Sequence, residues 1–105
     1  MHSATWLIGL FLSCVAPCPE ECRCDRARKR VYCNNRDLSQ IPRQIPWDTR
    51  LLFLQDNELT SSQQLERELG KLNNLERLML YNNKLEVFPK LRSANLRELR
   101  INNNR

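Results

Sequence analysis

Leucine and asparagine recur with fixed spacing through the second half of the chain. The pattern LxxLxLxxNxL fits residues 75–85 at every position, and it fits residues 49–59 with Thr49 in place of the first leucine. A third copy starts at Leu96, and a degenerate copy starts at Arg28. Starts at positions 28, 49, 75 and 96 give units of 21, 26 and 21 residues, which is typical of a tandem repeat. The recurring positions are Val31, Cys33, Arg36 and Leu38, then Leu52, Leu54, Asn57 and Leu59, then Leu75, Leu78, Leu80, Asn83 and Leu85, then Leu99, Ile101 and Asn104.

The physics of this pattern predicts the architecture. The two leucines of each LxL segment point to one side of a short strand, and the residues between and beside them point to the other side. One unit cannot bury its leucines alone, whereas stacked units form a continuous core. We therefore predict a leucine-rich-repeat solenoid of the α/β type, with a short parallel β-sheet on the concave face and turns and one short helix on the convex face. Asn57, Asn83 and Asn104 should form a hydrogen-bonded asparagine ladder with a structural role, because an amide both donates and accepts.

The convex side differs between units. In the 26-residue unit, leucines at helical spacing follow Ser61 and precede Gly70, which predicts a short helix over about residues 62–69. Ser61 and Gln64 resemble a capping box, and Gly70 offers a stop. The 21-residue units instead contain Ile-Pro and Phe-Pro pairs, which favour extended turns.

The first sixteen residues are typical of a signal peptide. Residues 6–12 are apolar, and the stretch is too short to span a bilayer. Such a segment directs export of the chain and is then removed, here by cleavage after Ala16 or after Ser13. The predicted organisation is a signal peptide at 1–16, a cysteine-rich cap with a degenerate repeat at 17–48, and repeats at 49–105.

Loss of Cys14 with the signal leaves an even set of cysteines: Cys18, Cys22, Cys24 and Cys33. Behind an export signal, such a set predicts disulfides rather than a four-thiolate zinc site, which needs a reducing compartment. A bond between Cys22 and Cys24 would close a strained ring. Two pairings of the four cysteines remain open.

The segments CPEECRC and NNRDLSQIPRQIPWDTRLLFLQDNELT resemble the N-terminal cap and first repeats of the small leucine-rich proteoglycans. The later repeats resemble the decorin, biglycan and asporin branch, while the C-x3-C-x-C-x8-C spacing is closer to chondroadherin-like members. The resemblance implies the bonds Cys18–Cys24 and Cys22–Cys33, an extracellular-matrix location, and collagen or growth factors as partners. The chain contains no Ser-Gly dipeptide and no Asn-x-Ser/Thr sequon, so the resemblance extends to the protein scaffold and not to its glycans.

The residues flanking the leucines of each strand should form a concave binding face. Aromatic and methionine side chains lie in its centre with arginines beside them, a mixture typical of protein contact surfaces. A solvated sheet face, or a face packed on a second copy, is the alternative. The predicted face contains Arg30, Tyr32 and Asn34, then Leu51, Phe53 and Gln55, then Arg77, Met79 and Tyr81, then Glu98, Arg100 and Asn102.

Charge adds a second candidate. The chain has 17 Lys and Arg against 12 Asp and Glu, a net charge of +5. Four cations inside the last cysteine loop could bind sulfated glycosaminoglycan, or could be a solvated charge run. They are Arg26, Arg28, Lys29 and Arg30. Export disfavours nucleic acid as a partner.

An enzyme, a metal site and a cofactor site are not expected. His2 is the only histidine and leaves with the signal, and no serine has a base to activate it. Glu58, Glu66 and Glu68 would lie on a turn and an exposed helix. The alternative to a secreted matrix protein is the ectodomain of a cell-surface receptor or adhesion protein. Because Leu96, Leu99 and Ile101 would lack a following unit, we also expect self-association of this chain.

Overall fold

The computed structural model describes residues 17–104, so the predicted signal peptide lies outside the described residues. A single sheet follows the chain in the order β1-β2-β3-β4-β5, and it confirms the predicted solenoid. Strands β2 to β5 pair in parallel, one strand for each repeat, whereas β1 pairs antiparallel with β2. The strands are β1 Arg23–Asp25, β2 Arg30–Tyr32, β3 Leu51–Phe53, β4 Arg77–Met79 and β5 Glu98–Arg100.

The register places the same pattern position of each unit side by side. Val31, Leu52, Leu78 and Leu99 are successive neighbours across the parallel strands. The first three are at most 2% exposed, whereas Leu99 is 41% exposed on the last strand. Each buried leucine stabilises the fold by roughly 1.5–3 kcal/mol relative to exposure, so Leu52 and Leu78 stabilise the core more than Leu99 does.

The ninth-position asparagines link each unit to the one before it. Asn57 Nδ2 donates to the carbonyl of Cys33, and its Oδ1 accepts from the backbone N–H of Arg36. Asn83 Nδ2 likewise donates to the carbonyl of Leu54 in the preceding unit. Asn104 repeats the arrangement on Leu80. These bonds join side-chain amides to backbone groups, so the column cross-links successive turns of the solenoid.

The residue before each of these positions has left-handed backbone geometry, which the pattern did not predict. The φ angles are 55° at Asn35, 60° at Asp56, 56° at Asn82 and 57° at Asn103. Asparagine and aspartate tolerate this conformation better than other non-glycine residues. Each of them turns the chain out of its strand, and Asp56, Asn82 and Asn103 place the asparagine that follows against the preceding unit.

Helix α1 spans Gln63–Gly70, one residue later than predicted. The proposed capping box at Ser61 is wrong, because Ser62 is the N-cap and its hydroxyl accepts from the backbone N–H of Leu65. The Ser61 hydroxyl instead accepts from the backbone N–H of Val87 in the following unit. Gly70 is the last helical residue and not a residue beyond the end.

The position of Glu68 also differs from expectation. Glu68 is only 8% exposed, although the helix was expected to present it to solvent. The hydrophobic face of α1 carries Leu65 and Leu69 into the core, and Glu68 lies beside Leu69 on the same side. Its carboxylate is 3.2 Å from Lys71 Nζ, an i,i+3 pair that satisfies the partly buried charge.

The cap covers the N-terminal edge of the core. Cys18 is bonded to Cys24 and Cys22 to Cys33, the two pairs implied by the resemblance. Cys33 is fully buried in the apolar cluster. The bond from Cys22 to Cys33 therefore ties the cap to the first repeat, and β1 adds an antiparallel strand at the sheet edge.

Candidate binding surfaces

The central row of the concave face joins five strands. Arg23, Tyr32, Phe53, Met79 and Arg100 are successive cross-strand neighbours. The rings of Tyr32 and Phe53 are stacked, with centroids 4.8 Å apart and planes inclined by 1°. The guanidinium of Arg23 lies 4.4 Å from the centroid of the Tyr32 ring. The row therefore forms a layered apolar ridge with a cation at each end, and cation–π contact at one of them.

Arg23 was not among the predicted face residues. It lies on β1, a strand that the repeat pattern does not include because β1 belongs to the cap. The local sequence contained a signal, since Cys22 and Cys24 alternate around Arg23 and only one side of a strand can face the disulfides. Cys24 pairs with the buried Val31, which leaves Arg23 on the concave side beside Tyr32.

In the row nearer the strand starts, Arg77 and Glu98 form an ion pair that extends to Arg100 of the central row. Arg77 Nε lies 3.6 Å from Glu98 Oε1, and Arg100 Nε lies 2.6 Å from Glu98 Oε2. One carboxylate thus neutralises part of the charge of two arginines. Because all three side chains remain substantially exposed, these pairs orient the guanidinium groups and add little stability.

The row nearer the strand ends contains Asn34, Gln55, Tyr81 and Asn102. Backbone hydrogen bonds continue there beyond the strands, for example from the N–H of Asp56 to the carbonyl of Tyr81. Gln55 Oε1 is buried and accepts no hydrogen bond from residues 17–104. Among the described residues, this amide retains acceptor capacity beside the aromatic ridge.

The basic segment forms the turn between β1 and β2. Lys29 has a φ of 58° and pairs through Nζ with Asp48 Oδ2 at 2.7 Å. The hydrogen bond from Lys29 lowers the pKa of Asp48 below its ordinary value of 3.8. The exposed backbone N–H of Arg28 donates to Asp25 Oδ1.

A cavity of about 280 Å³ separates this turn from the loop that precedes β3. Its lining includes Val31, Pro46 and Trp47, a residue that is 66% exposed. Arg26, Lys29 and Arg30 also line it, whereas Arg28 does not. The four cations of the sequence motif are therefore divided between a cavity and the outer surface.

Neither a metal cluster nor a membrane helix is found within residues 17–104. No group of three or more histidine, cysteine, aspartate or glutamate side chains in that range could hold a metal ion. The helix there falls short of the length and apolarity needed to span a bilayer.

Comparison with known proteins places the chain in a broad class. Residues 17–46 match the family model described as the leucine rich repeat N-terminal domain. Mouse leucine-rich repeat transmembrane protein FLRT2 is 37% identical over 86 residues, which are 77% of this chain and 13% of the mouse protein. Human leucine-rich repeat-containing protein 52 is 35% identical over 83 residues, 76% of this chain and 25% of the human protein.

A shorter match reaches mouse leucine-rich repeat and transmembrane domain-containing protein 1, with 40% identity over 52 residues, 50% of this chain and 15% of that protein. The chain thus spans a quarter or less of the length of these relatives. They support the leucine-rich-repeat class and not the specific proteoglycan family that the sequence resembles. The matched N-terminal domain, the leucine-rich-repeat relatives and the capped parallel sheet identify residues 17–104 as a leucine-rich-repeat N-terminal region.

Proposed function

We propose that the chain acts without catalysis, as part of an extracellular leucine-rich-repeat ectodomain that binds a protein through its concave face. The observation that carries the proposal is the ridge formed by Tyr32, Phe53 and Met79, flanked by Arg23 and Arg100. Two of the relatives described above are transmembrane proteins by name, which favours an ectodomain over a freely secreted matrix protein.

The composition of the ridge suits a protein contact. Aromatic, methionine and arginine side chains are enriched in the centres of interfaces and supply most of the affinity. Here the stacked rings are held by the sheet, so binding would order few side chains and lose little conformational entropy. The predicted face residues Arg30, Gln55, Arg77 and Tyr81 surround this ridge and would form the polar rim.

A secreted matrix scaffold is the second candidate. The resemblance to small leucine-rich proteoglycans favours it and implies collagen or growth factors as ligands. The same concave face would serve both functions, so the two candidates differ in partner and anchorage and not in the binding residues. Under either candidate, residues 1–16 would be removed as a signal peptide and the cap would extend over 17–48.

The test uses the oxidised chain beginning at Pro17, applied to purified extracellular domains of cell-surface proteins and to fibrillar collagen. Phe53→Ala should weaken a concave-face contact by about tenfold or more, because truncation of a central aromatic residue removes a main source of affinity. Phe88→Ala is the matched control, since Phe88 is 68% exposed outside the sheet. Unfolding curves of both variants show whether weaker binding results from the loss of a contact with the ligand or from the loss of the fold.

A ligand lost on Phe53→Ala and kept on Phe88→Ala supports the concave face as the site. Binding that survives Phe53→Ala and Met79→Ala together contradicts it. A concave-face ligand among the cell-surface domains favours the receptor candidate, and collagen binding favours the matrix candidate.

A further inference from the structure

We infer that the cavity beside Trp47 is a binding site for one unit of a sulfated polysaccharide. This site lies between the β1–β2 turn and the loop before β3. It shares Arg30 with the rim of the concave face but contains no residue of the aromatic ridge, so it does not depend on the proposed protein contact. Of the four cations in the basic segment, Arg26, Lys29 and Arg30 line the cavity beside Trp47, and Arg30 is the one that we expect to bind the sulfate.

Arg30 is the residue of the cavity that points to an anionic ligand. Its side chain is partly buried and lines the cavity, and its Nε has no hydrogen-bond acceptor among residues 17–104. Asp25 is its neighbour across the strands, yet Asp25 Oδ1 accepts from the backbone of Arg28 instead. Lys29, by contrast, is neutralised by Asp48 at 2.7 Å. Arg30 therefore lines the cavity with a guanidinium whose Nε has no partner among the described residues, and a sulfate group matches the donor geometry of a guanidinium.

Trp47 gives the cavity an exposed aromatic residue. Trp47 is 66% exposed, although burial of an indole is strongly favourable. The negative face of an indole attracts the polarised C–H groups of a sugar ring. The cavity is about 280 Å³, just below the roughly 300–1,000 Å³ that encloses a drug-sized ligand, so it suits a single sugar ring of a longer chain.

The two carboxylates in the cavity favour a sugar over an acidic peptide as the ligand. Asp25 and Asp48 also line the cavity and carry acceptor oxygens. The carboxylate side chains of an acidic peptide have no proton to donate to these oxygens, whereas the hydroxyls of a sugar can donate hydrogen bonds to them. A ligand with both sulfates and hydroxyls satisfies the guanidinium and the carboxylates together.

The experiment titrates the oxidised chain beginning at Pro17 with a heparin hexasaccharide. Trp47 is the only tryptophan after Trp6, so its fluorescence reports the cavity directly in that chain. Calorimetry supplies the affinity of Trp47→Ala, which lacks the fluorophore. Desulfated hexasaccharide and a sulfotyrosine peptide are the comparison ligands.

Two charge-conserving variants form the matched pair. Arg30→Lys keeps the net charge but loses the planar fork inside the cavity, whereas Arg28→Lys makes the same change outside it. We expect a loss of about tenfold for Arg30→Lys and for Trp47→Ala, and less than about twofold for Arg28→Lys. The Trp47 emission should shift on binding, and desulfation should abolish the response.

Equal effects of Arg30→Lys and Arg28→Lys would mean diffuse electrostatic attraction and would overturn the site. The site would also be overturned if the Trp47 emission did not change on binding. The same conclusion would follow if the desulfated sugar or the sulfotyrosine peptide bound as tightly as the heparin hexasaccharide. Phe53→Ala should leave hexasaccharide affinity unchanged, so the failure of this site and the failure of the concave-face proposal are distinguishable.

Discussion

The side-chain amide of Asn57 donates a hydrogen bond of 2.9 Å to the carbonyl of Cys33, one repeat earlier in the chain. Cys33 is itself bonded to Cys22, so a single asparagine connects the second repeat to the disulfide cap. The Oδ1 of Asn57 also accepts from the backbone N–H groups of Arg36 and Leu38. Because Asn57 is only 7% exposed, water cannot readily replace these partners.

Replacement of this amide should be costly. Asn57→Ala would leave the Cys33 carbonyl and the N–H groups of Arg36 and Leu38 without their partner, and each unsatisfied buried group costs about 1–3 kcal/mol. We expect the free energy of unfolding in urea to fall by roughly 2–4 kcal/mol. Asn73→Ala, at an exposed turn, is the control and should change it by less than about 0.5 kcal/mol. A loss below about 1 kcal/mol for Asn57→Ala would mean that the ladder is not a main source of stability.

The left-handed position before each ladder residue gives a second prediction. Asn82 has a φ of 56°, which glycine adopts freely and valine does not. Asn82→Val should therefore lower the free energy of unfolding by about 1–2 kcal/mol more than Asn82→Gly. Both variants lose the hydrogen bond from Asn82 Nδ2 to Asp56, so their difference isolates the backbone. Equal unfolding midpoints for the two would contradict a left-handed Asn82 in solution.

The repeat pattern predicts the strands and core well because leucine burial is the dominant energy in each unit. Thr49 shows how a departure is tolerated, since its hydroxyl donates to the carbonyl of Pro46 at 2.6 Å and remains satisfied while buried. The pattern does not reach β1, which pairs with β2 only because the disulfides fold the cap back. The repeat pattern therefore does not predict Arg23 as part of the central row, where the structure places it beside Tyr32.

The cavity beside Trp47 could not be predicted from the sequence either. Its walls come from the turn at Arg26–Arg30 and from the loop at Pro46–Thr49, segments whose approach depends on the tertiary fold. From their spacing in the sequence, the four cations of residues 26–30 are expected to form a single basic patch. The ion pair from Lys29 to Asp48 and the position of Arg28 outside the cavity divide that patch physically.

The difference in burial between Leu78 and Leu99 gives a third prediction. Leu78 is fully buried between β3 and β5, whereas Leu99 on the last strand is 41% exposed. Leu78→Ala should lower the free energy of unfolding by about 2–5 kcal/mol, and Leu99→Ala should lower it by less than about 1 kcal/mol in dilute solution. A cost for Leu99→Ala that rises with protein concentration would indicate the expected self-association through this face. Equal costs at every concentration would contradict the exposure of Leu99.

The ion pair between Lys29 and Asp48 gives the last prediction, a dependence of stability on pH. The folded pKa of Asp48 is lowered, chiefly by the hydrogen bond from Lys29, so the folded state binds the proton more weakly than the unfolded state. The stabilisation is therefore complete above the ordinary pKa of 3.8 and is lost as the pH falls through the lowered folded value. Both side chains are about a third exposed or more, and solvent screening limits the contribution to less than about 1 kcal/mol. Asp48→Asn should thus destabilise the chain slightly at about pH 7, and its difference from the unmodified protein should shrink at about pH 2.5. Asp37→Asn, at an exposed position, is the control for the general effect of removing a carboxylate. An Asp48→Asn cost that grows on acidification would reverse the sign of the linkage and rule out this ion pair as its origin.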